Sequence, residues 1–340
     1  MIDHHSGIAH AAYHDLLRSL KDEQFSDIRG NPHTEKRGNR TYWYDMYRVG
    51  TKVVKRYLGE DSVETQDRIA RHKEISAAQE HYKINRARLI RVLRAEGMSS
   101  LDPATGSIMS ALADAGTFRL GGTLVGTHAF RFYEGELNIR AAQTDMLQTN
   151  DIDIAQFERL SLALAVDDKV EGGLNETFKT LKFDPTPSLN GNSVWRWRQT
   201  TSQTFVEFLT PSFNADEDIR DLPALGVSAQ SLHFLNYLIA DPIPAAALYR
   251  SGVLIQIPRP ERYAVHKLIV ANRRQGGPDA IKSRKDRLQA AFLIRVLAQD
   301  RPDELHEAYA DALSRGPKWG AHIAASLRHL PDTKALLAAL

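Results

Sequence analysis

The 340-residue sequence contains no cysteine. Disulfides, thiolate nucleophiles and cysteine-ligated zinc or iron–sulfur sites are thereby excluded, and any metal must be held by oxygen or imidazole. Long apolar runs are missing too. No window approaches the roughly 18 uninterrupted apolar residues of a membrane span, and the start "MIDHHSGIAHAAYHDLL" has no basic stretch leading into an apolar one. The chain is therefore expected in the cytoplasm, with no membrane partner. An excess of either charge is also lacking: 44 Lys and Arg against 42 Asp and Glu leave a net charge of +2. Overall charge thus argues for no nucleic-acid partner, and only local basic clusters remain to serve one. Internal repeats and low-complexity linkers are absent. What is present, 42% hydrophobic and 25% charged residues, is an ordinary globular composition with room for two or three domains.

The first hundred residues read as helices flanking one hairpin. "TYWYDMYRVGTKVVKRYLG" alternates apolar with polar residues on both sides of a Val49-Gly50-Thr51 turn, and Ser62 to Arg94 follows as a long helix ended by "EGMSSLDP". A boundary near Ser99 follows. From Pro103 a short helix leads to "FRLGGTLVG", with Phe118 to Leu120 as a strand. Next come an aspartate-bearing strand, a helix around Leu174 to Leu181, and strands at Val194 to Arg198 and Thr204 to Leu209. After "LTPSF" there are short apolar strands such as "GVLIQIP", and from Pro260 nearly everything has helical periodicity.

The chemistry concentrates in "TNDIDIA". Side chains alternate along a strand, so Asp151 and Asp153 share one face while Ile152 and Ile154 share the other. Two carboxylates about 7 Å apart repel, and burying either unpaired is costly, so a cation belongs between them. Oxygen ligands of this kind suit Mg²⁺. Metal-assisted phosphoryl or nucleotidyl transfer uses such carboxylates, commonly with two ions. A third acid appears in "TFVEFLTP", where Glu207 sits among Phe205, Val206, Phe208 and Leu209. If that strand lies beside the aspartate strand, three carboxylates converge. The same chemistry wants backbone N–H groups for phosphate oxygens, as a glycine turn into a helix provides. "GGTLVGTHAF" offers two such turns, Gly121-Gly122 and Gly126-Thr127. The second is favoured because a buried strand ends there and a helix starts at once, with Thr127 as its cap.

"LVGTHAF", "TNDIDIA" and "TFVEFLTP" resemble the helical-turn Gly-Ser/Thr, the D-x-D strand and the third-acid strand of the DNA polymerase beta-like nucleotidyltransferase superfamily. More narrowly, the chain resembles a bacterial family of nucleotidyltransferase-fold proteins in which a G-T-H-A-F stretch precedes a T-x-D-x-D strand. "PRPERYAVHKLIVANRR" and "KSRKDRLQAAFLI" fit that family too, so the likeness covers roughly Ala104 to Leu297. It implies an α+β fold: a mixed-sheet nucleotidyltransferase core over 101–215, an N-terminal helical and hairpin region over 1–100, and a mostly helical C-terminal domain over 216–340. It further implies transfer of a nucleoside monophosphate from a nucleoside triphosphate such as ATP to an acceptor, RNA, protein or small molecule, with release of pyrophosphate. Asp151, Asp153 and Glu207 would hold two Mg²⁺ or Mn²⁺ ions, with Glu207 also orienting or deprotonating the acceptor. Gly126 and Thr127 would cradle the triphosphate, and Lys267 with Lys285 would neutralise it. The step of 24 positions from Thr127 to Asp151 exceeds the superfamily's usual short helix, which makes the residues around Glu136 to Leu147 an inserted loop.

Plainer readings stand beside these. Lys267 on its apolar helix also fits a side chain that snorkels to water. Lys282, Lys285 and Arg273 also fit a solvated basic face, and His128 and His266 lack ligand spacing and read as structural. A glycosyltransferase shares the D-x-D strand but needs a nucleotide-binding α/β half upstream. A metal nuclease wants lysine where Leu209 stands. A non-catalytic nucleic-acid-binding regulator on a transferase fold would use the basic hairpin "KRGNRTYWYDMYRVGTKVVKRY".

Overall fold

The computed structural model describes residues 2–22, 28, 30–49, 52–140, 146, 149–167, 170, 173–186, 193–274 and 279–340. Helix α1 (Gly7–Lys21) is capped by Ser6, whose hydroxyl accepts the Ala9 N–H. Strands β1 (Asn31–Arg37), β2 (Arg40–Val49) and β3 (Lys52–Glu60) form a three-stranded antiparallel sheet, and helix α2 (Val63–Ala95) follows, capped by Ser62. The expected hairpin is β2 and β3, while its turn residues Gly50 and Thr51 lie outside the described residues. Strand β1 was not expected. "NPHTEKR" has no apolar alternation because it is an edge strand whose side chains are mostly exposed.

Helix α3 (Pro103–Asp114) starts with Asp102 capping the Ala104 and Thr105 N–H groups and proline in its first turn. Phe118 to Leu120, expected as a strand, instead forms tight turns. Gly116 (φ +90°) and Gly121 (φ +90°) bend the chain on both sides, and Gly122 N–H donates back to the Thr117 carbonyl. Strand β4 (Thr123–Val125), helix α4 (Gly126–Glu136), strand β5 (Asp151–Ala155), helices α5 (Glu158–Asp167) and α6 (Leu174–Thr180), and strands β6 (Phe183–Thr186), β7 (Arg196–Gln199) and β8 (Phe205–Pro211) come next. Of the expected loop from Glu136 to Leu147, residues 141–145 and 147 lie outside the described residues.

Strands β9 (Ile219–Leu222) and β10 (Val227–Leu232) complete a seven-stranded mixed sheet ordered β4-β5-β8-β10-β9, with β7 also on β8 and β6 on β7. The sheet therefore continues past residue 215. Strand β8 is its axis: β5 pairs in parallel along residues 205–209, while antiparallel β7 (205–207) and parallel β10 (209–211) share its other edge. Helix α7 (Leu235–Leu238) and the hairpin of β11 (Ile243–Ala247) and β12 (Val253–Ile257) lead to five helices, α8 (Pro260–Arg273), α9 (Ala280–Asp300), α10 (Pro302–Ser314), α11 (Pro317–Leu327) and α12 (Pro331–Ala338). The architecture is α+β.

One core runs from the sheet into these C-terminal helices, joining Ile152, Ile154, Val206 and Phe208 to Phe130, Tyr263, Leu293 and Leu297. A second joins α1 and α2 to the β11–β12 hairpin through Tyr13, Leu16, Ile90, Leu93, Ala246 and Leu248. The alternation in β5 places its isoleucines in the first core with no exposure at all and leaves its aspartates half-buried on the other side.

The junction between β4 and α4 fixes where that side leads. Gly126 takes φ +66°, and a methyl group there would overlap the Asp153 carboxylate. Gly126→Ala is expected to lower stability by about 1–3 kcal/mol through backbone strain alone, with the carboxylate displaced as well. Chemical denaturation compared with an alanine substitution at exposed Gly7 checks this.

Candidate active site

Parallel pairing puts Asp151 level with Phe205 and Asp153 level with Glu207, so the three carboxylates occupy one side of two adjacent strands. On the other flank, antiparallel β4 sets Val125 opposite Asp153, which delivers the start of α4 to the same carboxylate. Thr127 does not cap that helix. The N-cap position is Val125, which has no capping side chain, and Thr127 lies buried two positions inside. The turn is held from behind by Tyr263 on α8, whose hydroxyl stands 2.8 Å from the Gly126 carbonyl and 3.0 Å from Gln289 Oε1.

The carboxylates feel one another. Burial, then the charges of Glu207 and Asp151, push Asp153 up to about 7, well above the ordinary aspartate range. Burial also raises Glu207, opposed by Arg196. Arg196 sits opposite Glu207 across the β7–β8 pair, with Nε 2.8 Å from Oε1 and its guanidinium 4.0 Å above the Phe205 ring. Among the described residues no three His, Asp or Glu side chains stand together as a ready metal cage. Asp151 and Asp153 present oxygen donors of a kind suited to a hard divalent ion, with Glu207 beside them and paired to Arg196.

Positive charge comes from α8 and α9. Asp286 is fully buried, and it binds Lys267 Nζ at 2.5 Å and an Arg274 guanidinium nitrogen at 2.8 Å. Burial alone would raise the Asp286 carboxyl, but Lys267 and Arg274 hold it below its usual range. Lys267 is thus committed to an internal ion pair rather than presented to a ligand. Lys285 differs. Together with Lys282, Asn150, Asp151, Arg198 and Phe205 it lines a cavity of about 610 Å³ at the N-terminal end of β5. Burial, then the nearby Lys267, lower the Lys285 pKa. The cavity has a carboxylate on one wall, three cations around it and an aromatic ring, which suits a polyanion bearing a flat apolar group. His128 and His266 are driven down to about 3, by burial first and then by neighbouring cations, so both rings are neutral at physiological pH.

A nucleotidyltransferase family model matches residues 103–314, which takes in every group just described. The chain belongs to this nucleotidyltransferase family. Membership makes it an enzyme of nucleotidyl transfer with a nucleotide as substrate. A second model, for a domain of unknown function, matches residues 13–68. No curated protein matches the chain. Among solved structures, an antigenic nucleotidyltransferase-like protein from Paracoccidioides brasiliensis aligns at 13% identity over 66% of this chain and 95% of that one, with a TM-score of 0.32.

In this nucleotidyltransferase the structure brings Asp151, Asp153, Glu207 and Gly126 together and places Lys285 on the adjoining cavity. Arg196, Arg198, Arg274 and Asp286 were not anticipated. The signal for Arg196 was present in "WRWRQ", whose alternation puts both arginines on one side of β7. That for Asp286 was a lone acid in the basic run "KSRKDR".

Two outcomes follow from these environments. Lys267→Met leaves Asp286 buried with only Arg274, so it should cost roughly 3 kcal/mol or more of stability. Lys282→Met, at an exposed cavity position, should leave the unfolding midpoint near wild type and weaken triphosphate binding instead. Denaturation and calorimetric titration separate the two. Because the Asp153 pKa is raised on folding, the protein loses stability as pH rises from about 4 to about 7. Asp153→Asn removes that loss, so in metal-free buffer its melting temperature should exceed wild type at pH 8 by several degrees, the gain disappearing near pH 4.

Proposed function

We propose that this chain transfers a nucleoside monophosphate from a nucleoside triphosphate to an acceptor hydroxyl in the manner of the DNA polymerase beta-like superfamily. The observation that carries the reading is the register of β5 against β8, with Asp151, Asp153 and Glu207 on one side beside the first N–H groups of α4. In this scheme Asp151 and Asp153, with Glu207 beside them, would hold Mg²⁺ or Mn²⁺, one ion or two. When bound, the metal supplies charge neutralisation at the phosphates and at the attacking oxygen.

The protein's own groups do the rest. Lys282 and Lys285 from α9 meet the phosphate oxygens in the cavity, and Arg274, fixed by Asp286, adds to the positive potential there. Phe205 offers a ring to the base. Glu207, raised by burial, takes the proton of the acceptor hydroxyl as its oxygen attacks the α-phosphorus. The bond from the α-phosphorus to the bridging oxygen breaks, and pyrophosphate leaves. The acceptor, whether RNA, protein or small molecule, is decided by which fraction takes up label.

The test is incubation with each α-labelled triphosphate, Mg²⁺ or Mn²⁺, and separate RNA, protein and metabolite fractions. Wild type should label one fraction, and Asp151→Asn with Asp153→Asn should abolish it while the fold is retained. Glu207→Gln should lower turnover by about 100-fold or more and leave triphosphate affinity within a few-fold, because its role is in the reacting step. Full labelling by the double variant overturns the assignment.

A further inference from the structure

The N-terminal sheet carries a second surface that the transfer site leaves unused. Its register sets His33 and Tyr57 on either side of Tyr44, Glu35 beside Tyr42, and Lys55 beside Met46, so these side chains share one side with Arg37 and Arg40. The opposite side is closed. Trp43 packs on the cluster of Ile28, Leu58 and Ile69, and the fully buried Asp45 accepts the Gly30 N–H at 2.8 Å.

The open side is unusual for a solvated one. An antiparallel sheet with one wet face ordinarily covers it with Thr, Lys and Glu. Here three tyrosines gather: the Tyr44 and Tyr57 ring centroids are 5.7 Å apart and those of Tyr42 and Tyr57 6.2 Å, with Tyr57 56% exposed. Cations interleave with them. The Lys55 ammonium lies 4.1 Å from the Tyr44 centroid and the Arg37 guanidinium 5.9 Å from it. Residues 31–60 hold seven Lys and Arg against three Asp and Glu, although the whole chain is almost neutral. The 33-residue α2 behind the sheet adds eight Lys and Arg against four acids.

We propose that this side of the N-terminal sheet binds single-stranded nucleic acid, with bases stacked on Tyr42, Tyr44 and Tyr57 and phosphates met by Arg37, Arg40 and Lys55. The positive excess selects a polyanion, whose phosphates compete with Glu35 for Arg37 and Lys55 and with Glu60 for Arg40. The rings select one whose π-faces are free, as in a single strand and not in a duplex. An acidic protein segment would use the cations and leave the rings idle. The inference goes beyond the transfer reaction and does not rest on it.

Fluorescence anisotropy on the full chain tests it, in chelator-containing buffer so that metal-dependent nucleotide binding is silent. The probes are a labelled 12-nucleotide mixed-sequence RNA, the matching DNA strand, and the blunt DNA duplex. Single strands should bind at least tenfold more tightly than the duplex. Tyr57→Ser should weaken binding by about tenfold, the scale of one lost base stack, and Tyr57→Phe should restore it. Arg37→Gln with Lys55→Gln should reduce the slope of log affinity against log salt by about 1–2. The exposed position of Tyr57 keeps these variants folded, and circular dichroism checks it. Equal or preferred duplex binding, no binding at low salt, or equal affinity of Tyr57→Ser and wild type overturns the proposal.

Discussion

Parallel pairing of β5 with β8 holds Asp153 and Glu207 roughly one strand spacing, about 4.8 Å, apart. Such a pair of carboxylates opposes folding, because bringing like charges together in a half-buried place raises the energy of both ionised forms. The sheet tolerates this because the other sides of the same strands are among its best-packed regions: Ile152, Ile154, Val206 and Phe208 have no exposure. The aromatic stack of Phe178 on Trp197, with Phe208 edge-on to Trp197, anchors β7 and β8 as well. Core packing on one side thus offsets electrostatic strain on the other, an arrangement common at sites that bind cations.

Compensating charge reaches the carboxylates by two routes with different chemistry. Arg196 meets Glu207 directly, and its stacking on Phe205 keeps its guanidinium plane near the sheet. Lys267 and Arg274 act at longer range, since both lower the Asp153 pKa without a direct ion pair to it. The first contact is a direct ion pair at the carboxylate. The second is a fixed background potential, set by α8 and α9 packing together and by Asp286 between them.

Much of this architecture was legible in one dimension, and what escaped did so for physical reasons. Period-two alternation in "DIDIA" identified one acid strand, a short apolar run around a lone acid in "FVEFL" the other, and the long periodic stretches after Pro260 the terminal helices. Their adjacency was only conditional, because 49 residues and four other elements separate the two strands and nothing local sets the register. Phe118 to Leu120 looked like a strand because three residues cannot distinguish periods, and two left-handed glycines decided otherwise. Thr127 looked like a cap because the sequence reading starts the helix at His128, two residues later than Gly126. Lys267 looked available because its partner lies 19 residues away on the next helix, where Asp286 is masked by basic neighbours.

The Lys267–Asp286–Arg274 cluster also explains why this site needs a buried acid among its cations. Without Asp286, two positive groups would face each other at the α8–α9 contact, and each would favour a rotamer that points away into water. A buried carboxylate reverses that preference: it binds both, lies below its ordinary pKa, and removes the freedom of two long side chains before any ligand arrives. The triad still carries one net positive charge, so it contributes potential while Lys282 and Lys285 remain at the cavity wall for contact. Fixing the more distant cations before any ligand arrives lowers the reorganisation that a polyanion at the cavity would require, and that is the condition under which electrostatic stabilisation of a reacting phosphate is most effective.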